Sequence, residues 1–123
     1  MTKNMFLFDS YALIEIFRGN EKYTKYSDAT ILITKLNVFE VYQSFLKKID
    51  EDTADLFLDK YWKYVKEIEP HIIQKAAKLR LKYKNKNLSM TDCIGYALAD
   101  YWCIPFLTGD REFKDLPNVE FVK

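Results

Sequence analysis

Short apolar runs alternate with helix-length stretches along this chain, and no other feature constrains its fold as tightly. The run Met5-Phe6-Leu7-Phe8 is what a buried parallel strand presents, and it stops at Asp9-Ser10, both favoured helix N-caps. Tyr11 to Phe17 then predicts a helix that stops at Gly19-Asn20. Thr30 to Ile33 is a second β-branched run, and Asn37-Val38-Phe39-Glu40 opens a helix to about Ile49. Asp50-Glu51-Asp52 makes a polar break and a candidate next helix start, and the stretch Leu56 to Lys66 is helical by spacing, with Phe57, Tyr61 and Tyr64 along one side. Val65 to Glu69 is expected as a short third strand. Pro70 suits the first turn of a helix carrying Ile73, Ala76, Ala77 and Leu79, which ends in the basic stretch Lys82 to Asn87. Ser89-Met90-Thr91-Asp92 resembles a capping box before a helix over Cys93 to Trp102. Ile104 to Leu107 and Val119 to Val122 supply the last strands.

Strands alternating with helices imply an α/β sandwich around a mainly parallel sheet. Right-handed crossovers then bring every strand-to-helix junction to one edge of that sheet. At 123 residues the chain, 1–123, reads as one domain.

Composition excludes more than it suggests. The net charge of +1 advertises no nucleic-acid binder, so any phosphate-binding face must be a local patch. A single histidine, His71, argues against most zinc hydrolases. Cys93 and Cys103 fit neither a disulfide framework nor a zinc set and are expected to be reduced and packed. No apolar run approaches the roughly 20 residues of a membrane span, and Asp9 and Glu15 interrupt any signal-peptide core, so the chain reads as cytoplasmic. The aromatic share of 16% is high, so some of these rings could serve a partner surface.

Four acids fall at or just after the expected junctions: Asp9, Glu40, Asp92 and Asp110. Each has a plainer reading. Asp9 can be a helix N-cap, and Asn37-x-x-Glu40 can be a capping box with Glu40 on the solvated side, beside Ser44 and Lys47 and opposite Val38, Val41, Phe45 and Ile49. Asp92 lies three residues after Ser89, and Asp110 can be a loop aspartate after Gly109, a glycine that permits a tight turn. Gly95 and Ala99, on the same helix face as Asp92, leave room either for a ligand or for close packing. Together the four make one economical site, because active sites of open α/β sheets form beyond the carboxyl ends of the strands. Carboxylates gathered there repel one another unless protons or cations intervene. An all-oxygen set suits Mg²⁺ or Mn²⁺.

With these residues in hand, the chain resembles the PIN-domain family, and within it the VapC-type toxins. The opening Phe6-Leu7-Phe8-Asp9-Ser10, the helix acid in Asn37-Val38-Phe39-Glu40-Val41, and the stretch Leu88 to Ile94 carry the likeness. Ala97-Leu98-Ala99, Phe106 to Phe113 and the final Val-Glu-Phe-Val extend it over nearly the whole chain. Asn37 stands where many relatives place Ser or Thr. The resemblance implies a three-layer α/β/α fold, a divalent metal and phosphodiester cleavage of RNA. It gives Asp9, Glu40, Asp92 and Asp110 the catalytic and metal-ligand roles, with Ser10 and Thr108 as supporting hydroxyls. Glu112 and Asp115 stand close enough to Asp110 in sequence to substitute or add a ligand.

The expected chemistry is metal-assisted hydrolysis by an endoribonuclease, the toxin of a type II toxin-antitoxin pair, with one or two ions. Substrate grip would come from Arg111 and Lys114, with Lys3, Arg18 and Lys35 also near the expected edge. A homodimer and a small antitoxin are the implied partners. Phe57, Tyr61, Trp62 and Tyr64 are one possible dimer or antitoxin surface, although core packing is the commoner fate. The alternative is a catalytically inactive PIN fold kept for protein binding. A phosphoacceptor receiver domain would want paired acids after the first strand, and Asp9-Ser10 supplies one.

Overall fold

A computed structural model describes residues 4–123. Four strands, β1 (Met5–Phe8), β2 (Thr30–Leu32), β3 (Phe106–Thr108) and β4 (Val119–Phe121), form one sheet in the order β2-β1-β3-β4. Every pairing in it is parallel, with Leu7 between Leu32 and Phe106, and Leu107 beside Glu120. The chain starts in β1, adds β2 on one side and then crosses over to place β3 on the other. The order therefore reverses between β1 and β3, and a crevice opens at their carboxyl ends.

Five helices cover the two faces: α1 (Ser10–Arg18), α2 (Lys35–Lys48), α3 (Glu51–Tyr61), α4 (Pro70–Lys82) and α5 (Met90–Tyr101). Strand side chains alternate between two cores. Leu7, Leu32 and Phe106 point toward α4 and α5, where they meet Ile72, Ala76, Cys93, Ala97 and Leu98. Phe8, Ile33 and Leu107 point the other way, into a core with Ala12, Leu13, Val41, Phe45 and Phe57 of α1, α2 and α3. The result is the three-layer α/β/α sandwich. No helix among the described residues is long and apolar enough to cross a membrane.

Several local expectations change. Val65 to Glu69 is not a strand: Val65 makes a single parallel bridge to Ile33, and the chain then turns to start α4 at Pro70. α3 does begin at the polar break Asp50-Glu51-Asp52, where the Asp50 carboxylate accepts from the Thr53 N–H at 2.7 Å and caps it. It ends at Tyr61, and a 3-10 turn follows over Trp62–Tyr64. α2 starts at Lys35, capped by Thr34, so the capping box is Thr34 with Asn37 and not Asn37 with Glu40. On α4 the buried positions are Ile72 and Ala76, while Ile73 and Ala77 are exposed; Ile49 beyond α2 is exposed as well. Of the four aromatics considered as a partner surface, Phe57 and Tyr61 belong to the core, Tyr64 packs half-buried against it, and Trp62 stays exposed. Cys93 is buried, but Cys103 is exposed, so only one of the two free thiols is packed.

Candidate functional site

The crevice between β1 and β3 is where the acids gather. Asp9 follows β1 directly and is 2% exposed. One carboxylate oxygen accepts the Ala12 N–H at 2.7 Å, so Asp9 does cap α1. The other accepts from the Thr108 hydroxyl at the end of β3. Thr108 in turn accepts the Asp110 N–H at 2.9 Å, which ties the acids of the two strand ends to one hydroxyl. Asp110 caps a short 3-10 turn by accepting the Glu112 N–H at 2.9 Å. Capping and site membership coincide in these residues, because the crevice lies where helices begin.

Glu40, in the second turn of α2, is held beside the crevice and outside the lining of its cleft by a hydrogen-bonded relay. Asn37 is buried, and its side-chain oxygen accepts from the Thr34 N–H at 3.1 Å and hydroxyl at 2.8 Å. Its amide then donates to the Ser10 hydroxyl at 3.1 Å, and Ser10 donates to Glu40 Oε1 at 2.6 Å. Asn37 thus supports Glu40 through Ser10, the role that the departure from Ser or Thr left open. Asp92 stands in the first turn of α5, its N–H donating to the Ser89 hydroxyl at 3.0 Å.

The electrostatics follow from this crowding. Burial, then repulsion from Asp110 and Glu40, raises the Asp9 carboxyl to about 7 against the hydrogen bonds from Thr108 and Ala12. Burial, then repulsion from Asp9, Asp110 and Glu40, raises Asp92 to about 8. Among the described residues none of the four acids forms an ion pair with lysine or arginine; Arg18 pairs with Glu15 and Lys35 with Glu67 instead. A cleft of about 410 Å³ is lined by Asp9, Asp92, Asp110, Tyr11, Gly109, Arg111 and Lys123.

This donor set is all oxygen, which fits a hard cation. Among the described residues no three acid, His or Cys side chains are grouped so that they could hold a metal ion as they stand. The oxygen donors are still compatible in kind with Mg²⁺ or Mn²⁺, because Mg²⁺ usually keeps several waters and takes only one or two carboxylates directly. The residues and the ion are compatible.

Neighbouring expectations divide. Glu112 and Asp115 do not line the cleft, and Glu112 accepts the Asn87 N–H at 3.0 Å instead. Arg111 lines it; the Lys114 ammonium lies 5.4 Å from the Phe121 ring centroid and does not. Lys3 lies outside the described residues. Gly95 serves packing: a Cβ there would stand 3.1 Å from the Phe106 ring and 3.3 Å from Leu7. At Gly109 the constraint is proximity, since a Cβ would meet the Tyr11 ring at 2.3 Å. Tyr11 and Lys123 were missed in the sequence. Tyr11 follows Asp9-Ser10 closely enough to have been considered, whereas nothing local marks Lys123.

A family model described as the PIN domain matches residues 6–119. No curated protein matches the chain by sequence. Among solved structures, a toxin-antitoxin complex from Klebsiella pneumoniae has a chain 24% identical, with TM-score 0.73 over 93% of this chain and 94% of that one. VapC20 of Mycobacterium tuberculosis, a sarcin-ricin loop cleaving toxin, is 11% identical with TM-score 0.78 over 96% and 99%. VapBC2 of Rickettsia felis, bound to a DNA fragment from its promoter, contributes a chain 16% identical with TM-score 0.72 over 96% and 97%. At these identities the likeness shows a shared fold.

Proposed function

The chain belongs to the PIN domain family, and from that premise we propose that it is a metal-dependent endoribonuclease acting as the toxin of a toxin-antitoxin pair. The observation that carries this reading is the crevice itself: Asp9, Glu40, Asp92 and Asp110 converge at the switch point of the sheet with no lysine or arginine in ion-pairing range among the described residues. Stability alone gives no reason to hold like charges together there, and raised carboxyl pKa values are the signature of a group kept for chemistry.

Asp9, Asp92 and Asp110 would hold Mg²⁺ or Mn²⁺, directly or through water, with Glu40 orienting that water. Bound there, the ion supplies a water of lowered pKa and neutralises charge developing on the phosphate. The chain's own residues do the positioning. Thr108 and the Ala12 N–H fix both oxygens of Asp9, and the Asn37–Ser10 relay fixes Glu40. Such preorganisation removes rotamer freedom that the reaction would otherwise have to restrain.

Two apolar surfaces fit protein partners. α2 and α3 leave Phe39, Leu46, Ile49 and Leu56 exposed, a patch suited to an antitoxin and distinct from the buried aromatics of α3. The neighbour from Klebsiella is itself a toxin-antitoxin complex. Ile73, Leu81 and Met90 are exposed around a cleft of about 640 Å³ between α4 and the start of α5, which is surface available for a second copy of the chain.

The test is cleavage of single-stranded RNA by the purified protein. Activity should require Mg²⁺ or Mn²⁺ and vanish in EDTA. Asp9→Asn should abolish it while circular dichroism stays native, since an asparagine oxygen can still accept from Ala12. Full activity of Asp9→Asn, or cleavage undiminished by EDTA, would sink the proposal.

A further inference from the structure

An acid cleft that receives a polyanion has an electrostatic difficulty. Its carboxylates repel the phosphates on either side of the bond to be cut, and a metal offsets that only locally. The remaining attraction must come from cations at the rim. The cations expected at this edge are engaged elsewhere: Arg18 with Glu15 at 3.8 Å, Lys35 with Glu67 at 3.7 Å, and Lys114 over Phe121. Among the described residues two cationic side chains line the cleft, Arg111 and Lys123.

Lys123 is brought there by a set of specific bonds. The Val122 N–H donates to the Thr108 carbonyl at 2.9 Å, continuing the pairing of β4 on β3 past Phe121. The Tyr23 hydroxyl donates to the Val122 carbonyl at 2.8 Å, and the Lys22 ammonium donates to the Lys123 carbonyl at 2.8 Å. These bonds carry residues 122 and 123 to the mouth of the cleft. There the Lys123 ammonium lies 4.8 Å from the centroid of the Tyr11 ring. Tyr11 is itself fixed, because it lies against Gly109, where a Cβ would fall 2.3 Å from a ring carbon.

We infer that Tyr11 and Lys123 act as one unit that positions a backbone phosphate of the RNA at the mouth of the acid cleft. The inference rests on the nuclease reading above. Lys123 supplies the charge, and Tyr11 fixes where that charge stands. The choice of an aromatic partner has a physical consequence. A carboxylate would hold the ammonium as well but would cancel its charge, whereas a ring face holds it weakly and leaves the charge available. The ring also restricts a side chain that otherwise loses much rotamer entropy on binding. Gly109 belongs to the same construction, because any side chain there would displace the ring.

The experiment is steady-state cleavage of a single-stranded RNA oligonucleotide across a salt series, with Mn²⁺ present, by the full chain and four variants. Lys123→Gln should raise KM about tenfold, with kcat changing about twofold at most. It should also flatten the dependence of log affinity on log salt by about 0.7, the loss of one phosphate contact on a single strand. Lys123→Arg should restore KM. Tyr11→Leu should raise KM several-fold alone, yet add little in the Lys123→Gln background, since each half of the unit acts through the other. Wild-type KM and salt slope in Lys123→Gln, or full additivity in the double variant, would overturn the inference while leaving the nuclease reading intact. A wild-type chain that neither binds nor cuts the oligonucleotide would overturn both.

Discussion

The two ends of α5 are about 16 Å apart along one helix and are built on opposite principles. At its start, Asp92 shares a cleft of about 410 Å³ with Asp9 and Asp110, with Glu40 near enough to repel it, and none of the four has a cationic partner among the described residues. At its end, Tyr101 and Trp102 line a larger pocket of about 520 Å³ with Lys66, Glu67, Glu69 and His71. Charges at that end have counterparts: Glu67 pairs with Lys35 at 3.7 Å, Glu69 lies 3.7 Å from His71, Asp100 binds Lys75, and the Lys66 ammonium stands 6.0 Å from the Trp102 ring centroid. Of these two pockets, size would select the wrong one. Uncompensated charge selects the cleft, because a fold that only needed stability would have neutralised or dispersed it.

The strongest way to break this contrast is to exchange one substitution at each end. Asp92→Asn should abolish RNA cleavage, while Trp102→Ala should leave it within about twofold of wild type. In EDTA at pH 8 the same Asp92→Asn should stabilise the fold by on the order of 2 kcal/mol, because it removes a carboxyl whose ionisation the cleft resists. For a domain of this length that is about 8 °C in Tm. An Asp92→Asn protein that cuts RNA normally, or melts at or below the wild-type temperature, would show that the two ends do not differ as argued.

A pH series sharpens the same contrast without mutation. Asp9 and Asp92 have carboxyls raised to about 7 and about 8, above the ordinary value of 3.8, so the fold favours their protonated forms. Their contribution to stability is fully present below about pH 4 and is lost as pH rises through 7 and 8. Metal-free protein should therefore melt several degrees lower at pH 8.5 than at pH 5.5 in scanning calorimetry. Added Mn²⁺ should raise Tm strongly at pH 8.5 and little at pH 5.5, since the ion competes with protons for the same oxygens. A Tm that is flat with pH in EDTA would remove the electrostatic basis of the contrast.

Much of this was legible in the sequence, for reasons tied to particular residues. The run Met5–Phe8 ending on Asp9, and Leu107-Thr108-Gly109-Asp110, announce strand ends, because a short apolar run that stops abruptly at polar residues is too brief for a helix and too apolar for a loop. From the order of such junctions the common edge follows. What local pattern could not supply was pairing across distance. That Thr108 bonds both Asp9 and Asp110, or that Asn37 reaches Glu40 through Ser10, depends on the register of β1 against β3 and on the approach of α1 to α2. The same limit applies to α4, where a helical period fits either Ile72 or Ile73 facing inward, and only the position of α5 decides. Lys123 is the extreme case: an ordinary lysine in the sequence, placed in the cleft by bonds to Lys22, Tyr23 and Thr108.

The smallest expected effect lies at the far end of α5. Lys75 and Asp100 form an ion pair in which both side chains are about half exposed. Solvent screens such a pair, and ordering two side chains offsets part of the attraction, so Lys75→Met should change stability by no more than about 0.5 kcal/mol. Whatever effect remains should fade in 1 M salt, where screening acts over about 3 Å. RNA cleavage and its pH profile should not move at all. A shift in either would mean that charge at the paired end of α5 is felt at the acid end, and the separation of the two ends would have to be replaced by a field acting along the whole helix.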